Sequence, residues 1–137
     1  MEKFKISTHA IVENGNKILV LQKKSEDAFS ADKWFLPGGE MKFGEDTIDT
    51  LKRTVKECCG IEIEVLSPIE VSVDVNEEKQ EQNVSITYIC EYKSGQLAKP
   101  KNVKEAKWLE PKKVIDLEEL DPVLEKSVYT YNEFISA

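Results

Sequence analysis

The chain has 137 residues, 40% of them hydrophobic and 33% charged, with a formal net charge of -7. That length and composition describe one globular domain, residues 1–137, long enough for a core of its own. The acidity argues against a nucleic acid polymer as partner, because such binding draws on lysine and arginine displacing counterions. No apolar run approaches the ~20 residues that cross a bilayer, and Met1–Lys5 is no signal peptide, so no membrane association and a cytoplasmic location are expected.

From the N-terminus, residues 5–12 and 17–24 read as strands, with Asn14-Gly15 supplying positive-φ residues for a tight hairpin between them. Residues 25–33 are polar and read as a loop. Trp34-Phe35-Leu36 reads as a short buried strand running into the turn signal Pro37-Gly38-Gly39. Residues 46–59 read as a helix whose Ile48, Leu51, Val55 and Cys59 recur on one apolar face, with Gly60 as its C-terminal stop. Residues 61–65 and 69–75 alternate as half-buried strands do, residues 76–82 read as a solvated hairpin loop, and residues 84–92 as a further strand. A short strand over 106–109 precedes a helical piece opened by Pro111 and ending near Leu120. A last helix is capped by Asp121-Pro122, with Leu124, Val128, Tyr131 and Ile135 on one stripe.

Of the 19 basic residues only Arg53 is an arginine, the residue whose fork matches carboxylates and phosphates. The cysteines, Cys58, Cys59 and Cys90, are odd in number and fit neither a disulfide framework nor a zinc site. His9, the single histidine, reads as packed within an apolar stretch.

Between the short strand and the end of the first helix stand Gly38-Gly39, Glu45, Arg53, Val55, Glu57, Gly60 and Ile61. Their order resembles the Nudix box, the signature of enzymes that cleave nucleoside diphosphates linked to another group. Two fixed positions depart from it: Thr54 and Cys58 stand where the family carries glutamates. The resemblance covers nearly the whole chain and implies an α/β/α sandwich with a mixed β-sheet and one central helix bearing the box. It further implies a MutT-like pyrophosphatase that cleaves a nucleoside-diphosphate-type small molecule with Mg²⁺ or Mn²⁺, and it leaves a homodimer open.

By resemblance the metal ligands would be Glu57 and the Gly38 carbonyl. Arg53 would tie the box together through Glu45 and Glu57, while Gly38, Gly39, Glu45 and Gly60 form the scaffold that approaches the diphosphate. Mg²⁺ requires hard oxygen ligands. A neutral hydroxyl at Thr54 and a soft thiol at Cys58 are poor substitutes, so weak metal binding and low or lost activity follow. Glu57 is then the box carboxylate expected to face the cleft alone. The alternative is an inactive Nudix domain that binds a nucleotide-like ligand or a protein partner. A softer metal at Cys58 is a third reading, and a packed thiol its bland counterpart. Glu105, in a segment resembling the family's Glu-x-x-Trp, is a candidate general base. Lys23, Lys24 and Lys33 are candidate phosphate contacts, Phe29 and Tyr88 candidate stacking residues, and Trp108 a core residue.

Overall fold

A computed structural model describes residues 1–24 and 32–136. In chain order the elements are β1 (Lys3–Asn14), β2 (Lys17–Lys23), β3 (Trp34–Phe35), β4 (Gly38–Glu40), α1 (Thr47–Cys59), β5 (Glu62–Asn76), β6 (Glu81–Ser94), β7 (Val103–Leu109), α2 (Pro111–Ile115) and α3 (Pro122–Ser136). The strands form one mixed sheet in the order β3-β2-β1-β6-β5, with β4 added to β1 and β7 to β2. Only β1 and β6 run parallel; the other pairings are antiparallel.

Each face of the sheet carries its own core, because successive strand residues point to opposite faces. On one face Ala10, Val12, Leu19, Leu21, Tyr88 and Cys90 meet Leu51, Val55 and Cys59 of α1. On the other Ile11, Ile18, Val20 and Ile89 meet Val114 of α2 and Leu124, Val128 and Tyr131 of α3. This is the mixed α/β sandwich expected, with α1 the one helix on its side of the sheet among the described residues.

Helix α1 starts where Asp46 accepts a hydrogen bond from the Asp49 amide, and it ends at Gly60 in the left-handed region, φ 74°. Its buried face keeps Leu51, Val55 and Cys59 of the predicted stripe but not Ile48. Thr50, Leu51, Thr54, Val55 and Cys59 are buried, whereas Ile48 lies on the rim and is exposed. At the other end of the chain Leu124, Val128 and Tyr131 are buried as expected, and Ile135 is exposed.

Several boundaries differ from the sequence reading for identifiable reasons. The two expected strands over 61–75 are a single β5, which passes Pro68 through register shifts against β6. The expected loop over 76–82 shrinks to four residues between Asn76 and Glu81. In the β1–β2 turn Asn14 pairs with Lys17, and only Gly15 takes positive φ. The turn at Gly38-Gly39 is itself a strand, because β1 recruits it: Thr8 pairs with Gly39 and His9 with Gly38. The helix opened by Pro111 stops at Ile115.

Candidate active site

The box residues converge where β4 passes beneath α1. A cleft of about 490 Å³ is lined by Gly38, Gly39 and Glu40 of β4, by Arg53, Thr54, Glu57 and Cys58 of α1, and by Phe35, Pro100, Asn102 and Val103 opposite. The contributing segments are distant in sequence. Spacing on α1 puts Arg53, Thr54, Glu57 and Cys58 on adjacent turns, and pairing with β1 places β4 under them.

Gly38 is required by space as well as by φ. At φ 147°, a Cβ there would stand 2.0 Å from the Thr8 carbonyl oxygen. Gly39 is required by its neighbour, since a Cβ would lie 2.9 Å from Thr54 Cγ2. Thr54 is therefore packed against the floor of the cleft, 7% exposed, with its hydroxyl donating to the Leu51 carbonyl at 3.3 Å.

Arg53 fastens the site. Its Nε donates to Glu45 Oε2 at 2.7 Å and its Nη2 to Glu45 Oε1 at 2.9 Å, a fork-on-fork pair. Nη2 also reaches the Glu40 carbonyl at 3.1 Å, and Nη1 reaches Glu57 Oε2 at 3.2 Å. Glu45 further accepts from the Lys42 amide at 2.9 Å and the Thr50 hydroxyl at 3.2 Å. Hydrogen bonds from Arg53, then from the Lys42 amide, lower the Glu45 carboxyl to about 2. The same partnership with Glu45 raises the Arg53 guanidinium. One arginine thus ties the loop after β4 to two turns of α1.

Glu57 lines the cleft from α1, whereas Glu40 borders it through its backbone: Gly39 faces Thr54, so strand alternation turns the Glu40 side chain, paired in register with Ser7, to the other face of the sheet. Asp46 is engaged as the helix cap, and Asp49 is exposed and does not line the cleft. Cys58 is half-buried against the α1-side core. A hydrogen bond with the Cys59 thiol lowers Cys58, against desolvation that raises it, while that bond and burial raise Cys59.

Mg²⁺ would need several oxygen ligands converging from one side. Among the described residues no group of three or more histidine, cysteine, aspartate or glutamate side chains is placed to hold a metal ion. Glu57 is paired with Arg53, Thr54 is packed, and Cys58 offers sulfur. This donor set does not fit a carboxylate-caged divalent ion.

Glu105 is not brought into the cleft. On β7, Ala106 and Trp108 pack into the α1-side core, so strand alternation turns Glu105 and Lys107 to the opposite face. There the two pair at 3.4 Å, with the Lys107 ammonium over the Trp34 ring. Tyr88 is 9% exposed within the core, with its hydroxyl 2.6 Å from Thr47 Oγ1, and offers no stacking face. Trp108 packs edge-on to Tyr92, a core residue as expected. Phe29 lies outside the described residues.

The sequence reading missed Asn102, Phe35 and Pro100, which reach the cleft only through tertiary pairing. It also missed a wall of lysines. Lys24, Lys99, Lys101 and Lys104 line a depression of about 510 Å³ that shares Pro100 and Val103 with the cleft. Lys24 was expected near phosphate; Lys23 and Lys33 line neither space. On the α3 side of the sheet, His9, Asn83, Asp121 and Lys126 line a hollow of about 530 Å³. His9 Nε2 is buried there without a hydrogen-bond partner among the described residues, and burial lowers the imidazole, partly offset by Asp121.

A family model for the NUDIX domain matches residues 3–131. The chain is 27% identical over 119 residues to an ADP-ribose pyrophosphatase of Methanocaldococcus jannaschii, covering 84% of this chain and 69% of that one. It superposes on a MutT protein from Methanosarcina mazei Go1 with a TM-score of 0.83 at 19% identity, covering 99% and 98% of the two chains. A MutT NUDIX hydrolase from Burkholderia pseudomallei gives 0.80 at 20% identity, covering 94% and 98%. No helix among the described residues is long and apolar enough to cross a membrane.

Proposed function

The chain belongs to the Nudix family, and from that premise we propose that it acts on the pyrophosphate of a nucleoside-diphosphate derivative of the ADP-ribose class, slowly, through a metal-poor cleft. The observation that carries this reading is the Arg53 clamp. It holds Glu45, Glu57 and the Glu40 carbonyl in one fixed constellation, while the neighbouring ligand positions hold Thr54 and Cys58. The scaffold of the box is intact and its metal shell is depleted. Likeness to the Methanocaldococcus jannaschii enzyme supports the substrate class.

Pyrophosphate cleavage by water needs charge neutralisation on the phosphoryl oxygens and a group that takes the proton of the attacking water. Lys24, Lys99, Lys101 and Lys104 border the cleft and supply positive charge on its far side. Gly38 and Gly39 let the β4 backbone lie against β1 and Thr54 as the floor of the cleft. Glu57, with a side chain 62% exposed, is the box carboxylate positioned to accept a proton from water. Glu57 and the Gly38 carbonyl are the family-matched ligands that remain for Mg²⁺ or Mn²⁺, a set too sparse to hold the ion firmly. A single box carboxylate in place of a full cage sets the expectation of low turnover, since loss of first ligands costs orders of magnitude in rate.

A second hollow, lined by His9, Asn83 and Asp121, lies on the α3 side of the sheet. A binding domain that does not turn its ligand over is the second reading. It is favoured by the Glu57–Arg53 ion pair, which occupies the box carboxylate.

Turnover of ADP-ribose, nucleoside diphosphate sugars, nucleoside triphosphates and dinucleoside polyphosphates with Mg²⁺, Mn²⁺ or Zn²⁺ tests the proposal, with Glu57→Gln as the blank. Slow turnover of ADP-ribose that Glu57→Gln abolishes is the expected result. ADP-ribose bound but not cleaved, by wild type under every metal, would make the chain a binding domain.

A further inference from the structure

The alternation of β1, β5 and β6 is inverted at one end of the sheet. Lys3, Lys5 and Ser7 of β1 fall on the α3 side, with Ser72 and Asp74 of β5 and Glu81, Asn83 and Ser85 of β6, as the registers require. Phe4 and Ile6, Val71, Val73 and Val75, and Val84 and Ile86 fall on the α1 side. Helix α1 does not reach them. Its first turn ends over Tyr88, where Thr47 Oγ1 meets the tyrosine hydroxyl, and nothing described in the chain continues past that point.

The apolar residues therefore face solvent: Phe4 is 71% exposed, Val71 53%, Val73 55% and Val75 57%. Gln82 is the single polar side chain among them, and the face carries no charge. Its outer strand, β5, is also the edge of the sheet. The described residues leave this end of the α1 face of the sheet uncovered.

We propose that this face is the contact by which two copies of the chain associate, sheet against sheet, about a twofold axis. The area fits. The exposed side chains present on the order of 500 Å² of apolar surface. A standard interface buries about 800 Å² per partner, about 65% apolar in homodimers, which is an apolar requirement of the same size. Flat β-branched surfaces pack face to face at about 10 Å, and a twofold operation brings a uniform apolar patch onto itself without a charge mismatch. Other occupants lack a handle here. An anionic membrane or a nucleic acid would be held by lysine or arginine, and this face has neither. The contact would also abut the box loop, since the Met41 amide bonds the Ile6 carbonyl and Phe43 stands fully exposed just beyond.

Sedimentation velocity on the full chain, from about 1 to 100 μM (roughly the weaker range of specific association), reads the outcome. A species of twice the 15.6 kDa chain mass is expected. Phe4→Lys and Val73→Lys should each raise the dimer dissociation constant by at least about 100-fold, because a lysine would be buried unpaired. Ser72→Lys, on the opposite face, should leave it unchanged. Added salt should tighten the dimer, since both copies carry a charge of -7. Val71→Thr with Val75→Thr, which keeps the β-branched shape, provides a second face variant if a lysine variant fails to fold, and should weaken the dimer about 10-fold. A chain monomeric at the highest concentration overturns the proposal, as does a dimer indifferent to every face substitution, or a monomer that instead binds anionic lipid vesicles.

Discussion

Arg53 shows what a guanidinium does that an ammonium would not. Its fork meets both oxygens of Glu45 while the remaining N–H groups reach the Glu40 carbonyl and Glu57. A point charge on a flexible stem can satisfy one of these acceptors at a time. Arg53→Lys should therefore release Glu45 from about 2 toward its ordinary 4.5. The sign follows from linkage. A carboxyl held low in the folded state adds stability that is complete above about 4.5 and is lost as pH falls toward about 2. Wild type should lose stability across that window. The Arg53→Lys protein should begin less stable at neutral pH and lose less on acidification. Thermal unfolding followed from pH 7 to pH 2 reads both. Parallel curves for the two proteins would mean that Arg53 does not set the Glu45 titration.

Among the elements, α1 carries the site and is held at both ends by local signals. Asp46 caps its N-terminus through the Asp49 amide at 2.8 Å, and Gly60 takes the left-handed turn at its C-terminus. Asp46→Ala should cost about 1 kcal/mol in denaturant unfolding, the usual size for a lost N-cap. A cost near zero would show the amide satisfied by water instead. Apolar periodicity and the Gly60 stop made α1 legible in the sequence, as the Asn14-Gly15 turn signal did the β1–β2 hairpin. The box residues were legible as a string for the same reason: Arg53, Thr54, Glu57 and Cys58 share one helix, so spacing alone sets their neighbourhood. What periodicity could not carry was pairing between distant strands. β4 is a strand only because β1 offers it partners, so Gly38-Gly39 read as a turn. Glu105 was expected in a loop beside the site. The pairing of β7 with β2 fixes its parity and sends it to the other face. Asn102, Lys99 and Lys101 enter the site through the loop before β7, where no pattern announces them.

At the scale of the molecule the sheet separates two cores that ought to answer differently to the same injury. Leu51 lies under α1 in the core that backs the cleft, and Leu124 lies under α3 on the far side; both are fully buried. Truncating either to alanine leaves a cavity and should cost about 2–5 kcal/mol. The cleft should register only one of them. Leu51 anchors α1 to the sheet, so its loss loosens the element that positions Arg53, Thr54, Glu57 and Cys58. The half-buried Cys58 reports this directly, and the fully buried Cys90, which belongs to the same core, reports global opening. Alkylation of each thiol, resolved by mass spectrometry, should give a Cys58 to Cys90 ratio that rises several-fold in Leu51→Ala, roughly as local opening outruns unfolding. In Leu124→Ala the two rates should climb together and the ratio stay at its wild-type value. A ratio that rises equally in both variants would mean that the sheet transmits the damage and that the cleft is coupled to the whole fold. If it rises in neither, α1 is held in place by its strand contacts and the Arg53 clamp alone.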